Sequence, residues 1–166
     1  MYKFYIFLII GFFSCHASNK PDTLQHTIGS IGMAEIKLID LQDHPINLES
    51  YKGKTVFINF WATWCKPCIE EMPSIEKTQT ILNDKEVIFL LASSESIEEI
   101  KAFRNNHGYQ FNYVHLENEE TLNLQALPST FIIDPKGKLV FSEMGSRNWN
   151  ETANIDLIKN ITKQHD

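Results

Sequence analysis

The sequence predicts an α/β fold in which a mixed central sheet carries helices on both faces. Two almost continuously apolar and β-prone runs, residues 55–61 and 87–91, are typical of strands that are covered on both sides. Residues 67–83 lie between them with apolar side chains at helical spacing, which predicts a strand–helix–strand unit with neighbouring parallel strands. Residues 130–141 contain a proline-then-glycine turn between two β-prone runs, which predicts an antiparallel hairpin.

The remaining elements complete a three-layer architecture. Residues 35–39 alternate polar and apolar side chains, and together with residues 46–48 they predict a short N-terminal β-hairpin. Residues 96–106 begin with a Ser/Glu capping pattern and stop before a glycine, which predicts a second helix. Residues 151–163 present isoleucines at helical spacing and predict the last helix.

Length and charge limit the function classes that need to be considered. The chain has 166 residues, of which 43% are hydrophobic and 22% charged, as expected for a protein with one globular core. Its formal net charge is -6, and its Lys and Arg residues form no cluster. Because binding to nucleic acid depends on clustered cations that neutralise phosphates, we expect no nucleic-acid partner.

The first residues have the pattern of a secretory signal. Lys3 precedes the apolar residues 4–13, a run too short for the roughly 20 residues that span a bilayer as a helix. Ser14 and Cys15 follow, and this junction resembles the lipobox of bacterial lipoproteins, although Phe12 and Phe13 depart from it. The resemblance implies that lipid on Cys15 anchors the protein to a membrane. Ordinary cleavage near Ala17 and an uncleaved anchor remain alternatives.

The cysteine count supports this division of the chain. There are three cysteines, so one is left over when Cys65 and Cys68 pair, and lipidation of Cys15 would account for it. We therefore assign residues 1–14 to a signal peptide, 15–30 to a tether and 31–166 to the folded domain.

The pair of cysteines is the strongest functional signal. Cys65 and Cys68 lie where the first buried strand gives way to the helix. A helix N-terminus favours an anion, so we expect Cys65 to be the attacking thiolate and Cys68 to resolve the mixed disulfide. A structural disulfide is the alternative. The scattered histidines show no zinc-ligand spacing, and Ile69 stands where a haem-attachment motif needs a histidine.

Two longer motifs carry a resemblance to a known family. The first contains the cysteine pair and consists of residues 59–68, Asn-Phe-Trp-Ala-Thr-Trp-Cys-Lys-Pro-Cys, with Glu71-Met72-Pro73. The second consists of residues 127–134, Leu-Pro-Ser-Thr-Phe-Ile-Ile-Asp. They resemble the TlpA/ResA type of bacterial, membrane-anchored, thioredoxin-like protein, and the likeness extends from about residue 31 onward. The resemblance implies a thioredoxin-like fold and a thiol-disulfide oxidoreductase whose only redox group is the Cys65–Cys68 disulfide. It implies no other cofactor and no metal.

The resemblance also assigns roles to individual residues. Pro128 matches a cis proline opposite the cysteines; an ordinary trans loop proline is the alternative. Glu71 matches a partly buried acid that would take the proton of Cys68, and the alternative is a solvent-facing glutamate. Asn59 cannot titrate, which leaves Glu71 as the candidate. The predicted substrate-binding residues are Trp64, Lys66, Pro67 and Leu127.

The expected activity is reduction of disulfides in exported cysteine-containing proteins, with apocytochrome c as one candidate substrate and a membrane thiol donor upstream. The motif does not fix the direction of electron flow, so a disulfide oxidase or isomerase is an alternative. A metal-delivery or assembly-binding module is another, although such copper carriers add a histidine ligand that this sequence does not obviously supply. A thiol peroxidase would need a Pro-x-x-x-Thr-x-x-Cys setting, which is absent around Cys65.

Overall fold

The computed structural model of the protein describes residues 32–82 and 86–163. Within them, the strands are β1 (Leu38–Ile39), β2 (Pro45–Ile46), β3 (Thr55–Phe60), β4 (Val87–Ser93), β5 (Asn112–Leu116), β6 (Ser129–Ile133) and β7 (Leu139–Met144). The α-helices are α1 (Lys66–Leu82), α2 (Ile97–His107) and α3 (Thr152–Lys163). Short 3-10 helical turns lie at Met33–Glu35, Leu48–Tyr51 and Glu119–Leu122.

The strands form one mixed sheet in the order β2-β1-β5-β4-β3-β6-β7. Strand β3 pairs with β4, and β4 with β5, in parallel, so that α1 and α2 are the crossover helices. The other pairs in the sheet are antiparallel. The predicted parallel neighbours β3 and β4 and the predicted hairpin of β6 and β7 are both confirmed.

Each face of the sheet buries its own apolar cluster. Because side chains alternate along a strand, Phe57 of β3 faces one cluster while Val56 and Ile58 face the other. The α-helices cover the first face with residues that include Met72, Ile100 and Ile158. The 3-10 turns cover the second face with Met33, Leu48 and Leu122. The three α-helices therefore share the first face of the sheet, and 3-10 turns cover the second. The predicted mixed α/β fold with a central sheet is confirmed.

The N-terminal hairpin is present, but its strands are shorter than predicted. Residues 33–35 form a 3-10 turn, in which the Glu35 side chain accepts a hydrogen bond from the Gly32 N–H at 2.7 Å, so β1 begins only at Leu38. Residue 48 also leaves the predicted strand, because the Asn47 side chain caps a 3-10 turn by accepting from the Glu49 N–H at 3.1 Å.

Strand β5 was not predicted from the sequence. Asn112 and His115 interrupt its apolar pattern, so the segment gives a weak signal on its own. Its pairing comes from tertiary context: β4 lies beside it in parallel and β1 beside it in antiparallel orientation. This inner position extends the parallel part of the sheet from two strands to three.

The predicted signal peptide, residues 1–14, and tether, residues 15–30, lie outside the described residues, as do residue 31 and the end of the predicted domain at 164–166. Across residues 32–82 and 86–163, no helix has the length and apolarity to cross a bilayer.

Candidate active site

The cysteine pair lies at the junction of β3 and α1. Cys65 immediately precedes the first residue of α1, and its carbonyl accepts a hydrogen bond from the Ile69 N–H at 3.2 Å. A disulfide joins Cys65 to Cys68, with 5.3 Å between the Cα atoms. Cys65 is 4% exposed and Cys68 is 0% exposed. Both cysteines are thus buried in the disulfide form, and Cys65 is the one that retains a small accessible surface.

Glu95 holds the loop that precedes Cys65. Its carboxylate accepts hydrogen bonds from the N–H and the hydroxyl of Thr63, at 2.7 and 2.6 Å, and another from the Ser93 hydroxyl at 3.0 Å. Thr63 follows the end of β3, whereas Glu95 follows the end of β4. Because parallel strands bring their carboxyl ends to one edge of the sheet, this contact joins the cysteine loop to the neighbouring connection.

Pro128 lies beside the same end of β3. A cis peptide bond joins Leu127 to Pro128, as the resemblance to the TlpA/ResA type implies. Pro128 directly precedes β6, whose register places Ser129 opposite Phe60, the last residue of β3. Pro128 is buried, and its carbonyl accepts a hydrogen bond from the Gly145 N–H at 2.8 Å.

Glu71 is a buried carboxyl group one helical turn beyond Cys68. It is only 3% exposed, so the alternative of a solvent-facing glutamate is wrong. The Asn59 side-chain amide donates to its Oε1 at 2.7 Å, and the backbone N–H of Arg147 donates to its Oε2 at 2.9 Å. Burial raises the pKa of Glu71, while these two hydrogen bonds and the Trp149 side chain favour the charged form and partly oppose that rise.

The predicted substrate-binding residues differ in exposure. Trp64 is 74% exposed, whereas Leu127 is half-buried and packs against both apolar clusters. Pro67 is exposed, and Lys66 is exposed and pairs with Glu70 at 3.6 Å. Solvent screens an ion pair that is this exposed, so Lys66 contributes little to the electrostatic potential at Cys65.

The described residues contain no group of three or more His, Cys, Asp and Glu side chains that could hold a metal ion. The groups that this arrangement offers for chemistry are the disulfide, the buried carboxyl group of Glu71 and the surface around Cys65.

Comparison with known proteins identifies the family. Residues 32–142 match the AhpC/TSA family, which is more than half of the chain. The chain belongs to the AhpC/TSA family. A thiol-disulfide oxidoreductase ResA of Bacillus thuringiensis (strain Al Hakam) is 37% identical over 112 residues, which are 65% of this chain and 65% of that protein. This AhpC/TSA family member thus covers less than two thirds of that relative's length.

Two solved structures share the fold of this AhpC/TSA family member. A thiol:disulfide interchange protein from Bacteroides sp. has a TM-score of 0.65 at 25% identity, covering 79% of this chain and 88% of that one. The pneumococcal exposed lipoprotein thioredoxin Etrx1 of Streptococcus pneumoniae strain TIGR4 has a TM-score of 0.59 at 25% identity, covering 75% and 97%. The predicted thioredoxin-like fold and the resemblance to the TlpA/ResA type are confirmed.

Two site residues of this AhpC/TSA family member were missed in the sequence. Glu95 could have been found, because a carboxylate after β4 lies at the edge where the cysteine loop leaves β3. Arg147 carries no such signal, because it contacts Glu71 through its backbone N–H, from 76 residues away.

Proposed function

We propose that this AhpC/TSA family member is an extracytoplasmic thiol-disulfide oxidoreductase that reduces the disulfides of exported proteins. One observation carries the proposal: a disulfide lies at the start of α1, with Cys65 the less buried of its two cysteines and Cys68 one turn from the buried carboxyl group of Glu71. The pair is its own redox group, so the reaction needs no further cofactor.

The cycle consists of two exchange steps. The Cys65 thiolate attacks one sulfur of the substrate disulfide; the substrate S–S bond breaks, and a mixed disulfide forms as the second substrate sulfur leaves. Cys68 then attacks the sulfur of Cys65, which releases the first substrate sulfur and forms the Cys65–Cys68 disulfide. Two electrons pass to the substrate, and a membrane dithiol donor returns two electrons to the pair.

Glu71 takes the proton that Cys68 loses in the second step. The raised pKa makes the Glu71 carboxylate a stronger base than an exposed glutamate, provided that it is ionised when Cys68 attacks. Below its pKa the group is already protonated and cannot accept. The second step therefore slows as the pH falls through the pKa of Glu71.

Trp64, Pro67 and Leu127 form the docking surface around Cys65, with Lys66 as a minor contributor. Trp64 offers an exposed aromatic face, and the backbone of Leu127, next to the cis bond, pairs with an extended substrate segment. Such a surface recognises a substrate by its shape and backbone and not by its charge. It therefore suits varied substrates such as exported cysteine-containing proteins, with apocytochrome c among the candidates.

The protein is held at the membrane by lipid on Cys15, after removal of residues 1–14, and residues 15–30 tether the domain. The sequence at Ser14 and Cys15 supports this placement, and the structurally similar Etrx1 is named an exposed lipoprotein. Labelling cells with a fatty-acid analogue should mark the wild-type chain and leave Cys15→Ala unmarked. Equal labelling of both chains would refute lipidation at this residue.

The decisive experiment is the reduction potential of the Cys65–Cys68 couple, measured in thiol buffers on the chain carrying Cys15→Ser, so that only one couple titrates. A value near or below that of thioredoxin, about -270 mV, supports a reductant. A value approaching about -120 mV indicates an oxidant and reverses the proposed electron flow. If the reduced chain turns over no protein disulfide, the oxidoreductase proposal fails, and a binding module takes its place.

A further inference from the structure

Hydrogen bonds and aromatic contacts hold the side chain of Arg147 in place. Its guanidinium donates two hydrogen bonds to the Glu143 carboxylate, one of them at 3.1 Å, and a third to Asn154 at 2.8 Å. Its Cζ lies 5.4 Å from the ring centroids of both Phe141 and Trp149. The Arg147 side chain is 28% exposed. Such bidentate and stacked contacts hold an arginine in one position.

The backbone of the same residue contacts the active site. The Arg147 N–H donates to Oε2 of Glu71 at 2.9 Å. The Ser74 hydroxyl donates to the Glu71 carbonyl at 2.7 Å, and the Arg147 carbonyl lies farther from it, at 3.4 Å. Ser74 also accepts from the Trp149 N–H at 3.0 Å. These contacts lie on an irregular segment between β7 and α3, residues 145–151, which is not part of a strand or helix.

An irregular segment has no ladder of backbone hydrogen bonds to hold it. Here the Gly145 N–H is bonded to the Pro128 carbonyl, and side chains hold Arg147, Asn148 and Trp149. We propose that Arg147 is a positioning residue whose guanidinium fixes this segment and keeps its own backbone N–H on the carboxyl group of Glu71. The proposal rests on the proposed role of Glu71 as proton acceptor for Cys68.

The groups around Glu71 show why the backbone N–H of Arg147 matters for the pKa of this carboxyl group. Strand β3 offers only the neutral Asn59, and Asn59 also donates to the neutral Thr130 of β6 at 3.0 Å. The charge of Arg147 is paired with Glu143, outside the carboxyl site. Of the other ionisable side chains on the helix of Glu71, Cys68, one turn earlier, is the buried one. Lys66, Glu70 and Lys77 are exposed, and Glu76 is half-buried.

No cation among the described residues bonds to Glu71, so the carboxylate depends on its hydrogen-bond donors to oppose the effect of burial. These donors are the Arg147 N–H, the Asn59 amide and the Trp149 side chain. Loss of the amide of Arg147 therefore leaves Glu71 protonated to higher pH. The proton-accepting form would then be available only over a narrower range of pH.

The test uses the full chain with Arg147→Met, which keeps the backbone N–H and the length of the side chain but removes the guanidinium. Lys52→Met is the matched control, because Lys52 forms an exposed ion pair with Glu49 at a distant 3-10 turn. Arg147→Lys keeps the positive charge but lacks the planar guanidinium, so its Glu71 titration should lie between those of the wild type and Arg147→Met. If Arg147→Met does not fold, Glu143→Gln weakens the same contacts more mildly.

Two readouts address the proposal directly. Hydrogen exchange at the amide of residue 147 should become about tenfold faster in Arg147→Met, as expected when a hydrogen bond to a charged group is lost. The Glu71 carboxyl, followed by carbon-13 NMR, should titrate at higher pH in Arg147→Met than in Lys52→Met. The pH profile of the second exchange step should move in the same direction.

The outcomes separate the two proposals. If residue 147 stays protected and Glu71 titrates as in the wild type while only the stability falls, Arg147 has a purely structural role and the inference is overturned. If the titration of Glu71 moves but the pH profile of the exchange step does not, the positioning role of Arg147 stands and the proposed role of Glu71 fails.

Discussion

Glu95 accepts two hydrogen bonds from Thr63, at 2.7 Å from the backbone N–H and at 2.6 Å from the hydroxyl. Thr63 lies two residues before Cys65, and Thr63 and Glu95 belong to connections that leave the neighbouring parallel strands β3 and β4. Because the carboxylate accepts hydrogen bonds from both groups, it fixes the backbone and the side chain of Thr63, the residue before Trp64. A residue outside the cysteine motif therefore fixes the loop that precedes Cys65.

We predict that Glu95→Ala slows the first exchange step. The two donors of Thr63 lose their acceptor, which should lower the free energy of unfolding by about 1 kcal/mol and loosen the loop around Cys65. The rate of mixed-disulfide formation, measured in a Cys68→Ser background with a disulfide peptide, should fall by about tenfold.

Glu98→Ala is the matched control for Glu95→Ala, because Glu98 is an exposed glutamate at the start of α2. It should leave the rate unchanged. Equal rates for Glu95→Ala and Glu98→Ala would show that the contact with Thr63 does not position the cysteine loop.

The order of attack by the two cysteines gives the second prediction. Cys68→Ser should accumulate a stable mixed disulfide on Cys65, because no resolving thiol remains, whereas Cys65→Ser should accumulate none, since Cys68 is 0% exposed. Intact-mass spectrometry under non-reducing conditions after reaction with a disulfide peptide measures both products. An adduct on Cys68 in Cys65→Ser would mean that the assignment of nucleophile and resolving cysteine is inverted.

Local patterns explain which parts of the fold could be predicted. The apolar runs of β3 and β4 and the helical spacing of α1 are strong signals within one segment, and all three elements are present. Strand β5 is different, because Asn112 and His115 dilute its pattern and its pairing with β1 and β4 is decided in three dimensions. Periodicity within one segment therefore does not identify a strand that is stabilised mainly by its neighbours.

The residues of the candidate site also differ in how far the sequence could predict them. Cys65, Cys68, Glu71 and Pro128 lie in recognisable motifs, and the burial of Glu71 and the cis bond at Pro128 match what the resemblance implies. The partner of Glu71 could not be predicted, because a backbone N–H has no residue type to identify it in a sequence.

The buried carboxyl group should make stability depend on pH. Burial raises the pKa of Glu71 above its ordinary value. A carboxyl whose pKa is raised by folding stabilises the folded state below the unfolded pKa, about 4.3, and this contribution is lost as the pH rises through the folded pKa. The free energy of unfolding of the wild type, minus that of Glu71→Gln, should therefore decrease as the pH rises from below about 4.3 to neutral.

Denaturant titrations of the oxidised chain at several pH values measure this difference, and Glu70→Gln serves as the control. Glu70 is its exposed neighbour on α1, so its substitution should leave the slope with pH close to that of the wild type. A difference between wild type and Glu71→Gln that stays constant with pH, or rises, would contradict the burial of a carboxyl group with a raised pKa.

Trp64 should contribute to substrate binding and not to stability. Its side chain is 74% exposed, so Trp64→Ala should change the free energy of unfolding by less than about 0.5 kcal/mol. For a protein disulfide substrate, kcat/KM should fall by about tenfold through a higher KM, because aromatic residues at the centre of an interface provide much of its binding energy. A small disulfide, which is too short to cover the indole, should be reduced at the wild-type rate. Ile81→Ala is the control, since Ile81 is 49% exposed near the far end of the same helix, and an equal loss in both variants would rule out a docking role for Trp64.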